Sequence, residues 1–144
     1  ITLSSLKKYC KLGVIGSKRE KQSVERYVKS LQIKTPGTSQ QAQFLSGGNQ
    51  QKLIVAKWLD MDSDILIFDE PTRGIDVGAK FEIYQLMHQL VESGKSIIMV
   101  SSDFEELIGM SDNVVVIAEG KKAGEVAKQE FDKEMLLDLA SGSR

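Results

Sequence analysis

The sequence predicts an α/β domain built on a mainly parallel sheet, and three observations predict it. Short apolar runs alternate with stretches of helical periodicity, the pattern of strand–helix–strand crossovers. The run at residues 64–69 ends in acid, as a buried parallel strand does when its carboxyl end faces a site. The last two runs, residues 113–118 and 122–126, flank Glu119, Gly120 and Lys121 as an antiparallel hairpin.

Glycine and proline punctuate the elements in order. After an irregular opening, residues 20–32 place Val24, Tyr27, Val28 and Leu31 at helical spacing, which predicts an amphipathic helix. Thr35, Pro36, Gly37 and Thr38 break the chain, and a second helix is expected from Gly47 or Gly48 to Leu59. Beyond the acid-ended strand, Ile83, Leu86, Met87, Leu90 and Val91 form one apolar stripe that Gly94 stops. Residues 96–101 read as a second buried strand, a short helix runs through Leu107 to Gly109, and a last helix covers residues 131–140. No internal repeat interrupts this order.

Composition excludes several classes of function. Of the 144 residues 41% are hydrophobic, enough to bury a core, so disorder does not describe the chain. Nineteen lysines and arginines face twenty carboxylates, so no broad positive field points to nucleic acid or anionic lipid, and any phosphate recognition is local. Cys10 is alone and has no thiol partner for a disulfide or metal site, which fits a reducing compartment and a structural or surface thiol. No apolar run reaches the length of a membrane span. His88, among polar neighbours, is expected at the surface, Trp58 and Tyr84 in the core, and the basic pairs Lys7-Lys8 and Lys18-Arg19 in solvent. The chain opens at Ile1 without an initiator methionine, so it is expected to be a piece of a longer polypeptide.

Two motifs carry chemistry. Leu45-Ser46-Gly47-Gly48-Asn49-Gln50-Gln51 stands at a helix entry, where glycines let the backbone approach an anion and the helix start supplies N–H groups and partial positive charge. The same heptapeptide also suits an ordinary serine-capped helix. In Ile65-Leu66-Ile67-Phe68-Asp69-Glu70-Pro71-Thr72, two carboxylates end an apolar strand, a costly place for charge unless it meets a cation or water. Asp69 suits Mg²⁺, which takes one or two carboxylates and keeps several waters. Glu70, on the opposite side by strand alternation, suits a general base that polarises an attacking water.

On these residues the sequence resembles the ATP-binding-cassette family. Residues 45–51 match its signature motif, 65–69 its Walker B strand, Glu70 its catalytic carboxylate, and Gly74-Ile75-Asp76 its D-loop. The stretches from Gly47 to Lys52 and from Asp69 to Lys80 look like the second of two joined cassettes in bacterial importers of ribose, galactose, methylgalactoside and related simple sugars. The resemblance implies a P-loop NTPase-like fold lacking its N-terminal phosphate-binding portion. It assigns residues 1–61 to the helical signature subdomain, 62–127 to the C-terminal half of the ATPase core and 128–144 to a final helix and tail.

The resemblance further implies ATP and Mg²⁺ as ligands of the full-length protein. Ser46, Gly47, Gly48 and Gln50 would close over ATP held by the first cassette. Asp69 as the metal ligand, Glu70, Ser102, and Asp76 beside nucleotide would belong mainly to the site anchored by this half's own missing phosphate-binding loop. Ser102 occupies the place of the family's switch histidine, and a hydroxyl lacks imidazolium charge, so this half is expected to be weaker. No Gly-x-x-x-x-Gly-Lys-Ser/Thr occurs, so the isolated chain is expected to bind neither ligand and to be inactive. Implied partners are transmembrane permease subunits, the first nucleotide-binding domain and, indirectly, a periplasmic sugar-binding protein, with no nucleic acid. The implied location is the cytoplasmic face of the bacterial inner membrane, and an uncovered sheet edge predicts self-association. A soluble cassette ATPase of DNA repair or translation, and a non-catalytic docking module, are the alternatives.

Overall fold

In a computed structural model that describes residues 1–142, Thr2–Lys8 winds as a 3-10 helix kinked at Ser5. A small antiparallel hairpin follows, β1 (Cys10–Lys11) against β2 (Val14–Ile15), and then helix α1 (Ser17–Ser30). Helix α2 spans Gly47–Leu59, strand β3 Ile65–Asp69, helix α3 Val77–Glu92 and strand β4 Ser96–Val100. Helix α4 (Phe104–Met110), the hairpin β5 (Asn113–Ala118) and β6 (Lys121–Ala127), and helix α5 (Lys133–Ser141) complete the chain. Residues 143 and 144, the end of the expected tail, lie outside the described residues.

Among the described residues the strands form three two-stranded sheets, β1–β2, β3–β4 and β5–β6, and the β3–α3–β4 unit supplies the parallel one. Ser96 N–H donates to the Asp64 carbonyl at 2.9 Å and Glu70 N–H to the Val100 carbonyl at 2.8 Å, so both strands advance in the same direction. Sequence reading expected β3 to be buried on both faces. Instead the strand alternates: Leu66 and Phe68 are buried while Ile67 is 71% exposed, so one pleated face is open. In β5 and β6 the expected hairpin forms, with Glu119 and Gly120 as its two turn residues and Lys121 already in the strand.

The chain divides into two compact units. One comprises Ile1–Ile67 with Pro71–Ile98, the other Phe68–Glu70 with the chain from Met99 onward. The first is cored by Val55 and Ala56 of α2 and Ile83, Leu86, Met87 and Leu90 of α3, two helical stripes that face each other. Trp58, expected in the core, is 48% exposed: it falls at the rim of the α2 stripe, and the Lys57 ammonium covers its ring at 5.0 Å. His88 is exposed, as expected. In the second unit Val114, Val116, Val126 and Leu136 form a core edged by Phe104, Leu107, Ile108, Phe131 and Leu139.

A buried carboxylate organises the first unit. Asp60, just past α2, accepts from the Tyr9 hydroxyl at 2.5 Å, from Ser23 at 3.1 Å and from Ser5. The Lys8 ammonium, expected in solvent, donates to the Asp60 backbone carbonyl. One side chain thus ties the 3-10 helix, its C-terminal neighbour Tyr9 and α1 to the end of α2. Burial by itself raises the Asp60 pKa, but the hydrogen bonds from Ser5, Tyr9 and Ser23 outweigh it and leave the carboxyl below its usual range.

Asp60→Asn is expected to lower stability by about 3 kcal/mol, because donors aimed at a carboxylate lose its charge. A depressed folded pKa means that the contribution is complete above about pH 4, the unfolded value, and is lost as pH falls through the lower folded value. Denaturant melts of both proteins between neutral and strongly acidic pH check this: the gap should close only on the acidic side.

Candidate functional site

The helix entry at Ser46 is built by side chains that fold back on the loop. Ser46 is extended (φ −61°, ψ 156°) and α2 starts at the next residue, with Gln50 N–H closing the first turn on the Ser46 carbonyl at 2.9 Å. Ser46 does not cap the helix with its side chain. Its Oγ instead accepts from the Asn49 amide at 2.7 Å, and Asn49 Oδ1 accepts the Lys34 N–H at 2.7 Å. The Ser46 proton is therefore left to donate outward. The N–H groups of Gly47, Gly48 and Asn49 precede the first helical bond, so the entry presents amide donors and the positive end of the helix dipole. Ser46 and Gly47 are exposed, whereas the Gln50 side-chain amide donates to the Leu45 carbonyl at 2.8 Å.

Gly48 has a different reason to be glycine from the one the sequence suggested. It is buried, and a Cβ built on it would lie 2.8 Å from Ala79 Cβ. The backbone of α2 thus touches the first turn of α3, and the close approach is to protein. A Cβ on Gly47 would sit 3.4 Å from Ile75 Cγ2, so Gly74-Ile75-Asp76 lies beside the same entry. Asp76 accepts the Ala79 N–H at 2.9 Å and caps α3. One turn further along both helices, the buried Lys52 ammonium meets Glu82 at 2.9 Å, and Lys34 approaches the same carboxylate at 3.8 Å. Lys52 holds the Glu82 carboxyl below its usual range.

Asp69, Glu70 and Ser102 belong to the other unit. Asp69 ends β3 and is exposed, offering a lone carboxylate. Glu70 lies past the strand in left-handed backbone (φ 47°), so strand alternation does not set its direction. Two hydrogen bonds do: its N–H extends the ladder to Val100, and its Oε1 accepts the Ser102 N–H at 3.0 Å. Oε2 takes no hydrogen bond from the described residues. Ser102 therefore reaches Glu70 through its backbone amide. Asp103 caps α4 through Glu105 and Glu106 N–H at 3.1 and 3.3 Å, which fixes the loop carrying Ser102.

A family model described as ABC transporter matches residues 4–73. The ribose import ATP-binding protein of Clostridium perfringens is 50% identical over 143 residues, 99% of this chain and 28% of that protein. The xylose import ATP-binding protein of Thermoanaerobacter pseudethanolicus is 49% identical over the whole chain. Over residues 4–73 the chain matches the ATP-binding-cassette transporter family. It spans under a third of the length of these curated relatives. Its fold is that of solved cassettes: a dimeric ATP-binding cassette in a post-hydrolysis state, bound to ADP and Pi, superposes with a TM-score of 0.69 at 21% identity, over 84% of this chain and 52% of that one.

Within this cassette segment, sequence reading named Ser46, Gly47, Gly48, Gln50 and Asp76, and the structure gathers these around the adjoining starts of α2 and α3. It did not find Asn49 as the anchor of Ser46, nor the Lys52–Glu82 pair. A lysine one turn inside an otherwise apolar stripe was the available signal for that pair. Among the described residues no group of three or more His, Cys, Asp or Glu side chains gathers to hold a metal. A single exposed Asp69 carboxylate is chemically suited to Mg²⁺ as one ligand among waters and phosphate oxygens.

Gly48→Ala forces a methyl group onto Ala79, and a loss of about 1–3 kcal/mol is expected from overpacking. Adding Ala79→Gly should recover most of it. Denaturant midpoints of the two single variants and the double variant measure the coupling.

Proposed function

We propose that this chain is part of the ATP-binding and ATP-hydrolysing subunit of an importer of a simple sugar, from the second of two cassettes. Residues 1–61 form its helical signature subdomain and 62–127 the later half of its ATPase core. The observation that carries the reading is the entry to α2, where exposed Ser46 and Gly47 present an outward hydroxyl proton and amide donors on a rigidly packed base. Such an entry suits phosphate oxygens. The names of the ribose and xylose import relatives favour a simple-sugar cargo over DNA repair, translation or a purely docking role.

Ser46, Gly47 and Gly48, with Gln50 as the brace of the loop, close over ATP held by the first cassette, and Asp76 holds the neighbouring loop in place. In the other site Asp69 supplies one carboxylate to Mg²⁺, which neutralises phosphate charge when bound. Glu70, anchored through Oε1, turns Oε2 toward water and takes its proton as general base. Ser102 supports this through its amide, in the place where the family has a histidine. Permease subunits take up the motion at the cytoplasmic face of the membrane, and a periplasmic binding protein delivers the sugar.

Three expectations test the reading. The isolated chain, without a phosphate-binding loop, shows no magnesium-dependent ATP hydrolysis above background; turnover that disappears on Glu70→Gln contradicts this. In the full-length protein Ser46→Arg abolishes sugar uptake, because the side chain fills the space that phosphate would occupy. Glu70→Gln slows hydrolysis at its own site by about 10²–10⁴-fold yet leaves some uptake, and equal tolerance of both changes counts against the assignment.

A further inference from the structure

The hairpin β1–β2 bears two costs that the fold does not explain. Its two-residue turn is Leu12-Gly13, with φ of 52° and 80°, and Leu12 occupies a left-handed position that normally selects asparagine, aspartate or glycine. At that position Leu12 is 97% exposed, with Val14 70% and Ile15 41% exposed beside it. A strained turn that holds an aliphatic side chain fully in water contributes nothing to the core.

The charge around this tip is one-sided. From Ile1 to Lys21 the chain carries six cationic side chains, Lys7, Lys8, Lys11, Lys18, Arg19 and Lys21, against the single carboxylate of Glu20. That segment has a net charge of +5 in a chain whose total is −1. Glu20 accepts from the Thr2 hydroxyl at 2.7 Å, Lys8 serves Asp60, and Lys21 faces Glu25 at 3.9 Å. Among the described residues no acidic side chain pairs with Lys7, Lys11, Lys18 or Arg19, and all four are exposed. Lys11 pairs with Val14 across the hairpin, while Lys18 and Arg19 open the helix that follows Ile15.

We infer that this hairpin is a docking surface for an anionic phospholipid bilayer, Leu12 and Val14 entering the headgroup boundary while Lys11, Lys18 and Arg19 face lipid phosphates. An apolar tip ringed by unpaired cations matches both properties of such a surface, its apolar boundary layer and its negative potential. An acidic segment of a protein offers the charge but no apolar layer for Leu12. Vesicle binding by the hairpin is independent of the nucleotide chemistry proposed above.

The test is co-sedimentation of the 144-residue chain with phosphatidylcholine vesicles with and without phosphatidylglycerol, at low and high salt. Binding is expected only to the phosphatidylglycerol vesicles, and high salt should weaken it. Leu12→Asn suits the left-handed turn, so its thermal midpoint should hold or rise while its partitioning falls about 10-fold. Replacing Lys11, Lys18 and Arg19 together with glutamine should lower partitioning roughly 100-fold, about fivefold per charge. No binding to anionic vesicles at low salt, or partitioning indifferent to Leu12→Asn, overturns the inference. Equal binding to a soluble polyglutamate peptide overturns it in favour of an acidic protein partner.

Discussion

The approach of Gly48 to Ala79 is the constraint on which the helix-entry half of the structure depends. With no side chain on Gly48, α2 meets the Ala79 methyl of α3 at a distance that a second methyl group would prevent. Lys52 and Glu82 then close one turn further along. A buried lysine is costly unless its charge is met, and Glu82 meets it, so the pair both requires and enforces the helix spacing. The loop at Ser46 and the loop at Asp76 become two ends of one rigid block rather than independent segments. Preorganised donors of this kind cost no rearrangement when an anion arrives.

In the other unit a different device serves the same end. A left-handed residue after a strand carries strain, and Glu70 keeps that conformation because its N–H and its carboxylate are both held by the chain around Val100 and Ser102. Ser102 is therefore not idle: its amide orients the Glu70 carboxylate whatever its hydroxyl does. That division lets the proposed general base be aimed without an imidazole beside it.

Much of this was legible in the sequence, where local signals are strong. The Gly47 start of α2, the acid-ended strand, the apolar stripe of α3 and the terminal hairpin follow from periodicity and turn residues alone. The β1–β2 hairpin was not legible, because two-residue strands carry no period and Leu12-Gly13 lacks a customary turn pair. Helix α1 begins at Ser17, ahead of its first apolar residues, since a basic first turn gives no stripe to read. The Asp60 hub joins residues 5, 9, 23 and 60, which only tertiary folding brings together. A glycine at position 48 suits the approach of an anion or of a helix alike, and sequence alone does not show that Ala79 lies against it.

The central claim is that the amides at the start of α2 face a triphosphate in the intact protein. Hydrogen exchange of the full-length protein, resolved at Gly47, Gly48 and Asn49 and compared with and without Mg-ATP, tests it most directly. Slowed exchange at these three amides with ATP, lost again with ADP, is the predicted result. Unchanged exchange there, under conditions in which ATP demonstrably binds elsewhere in the protein, contradicts it.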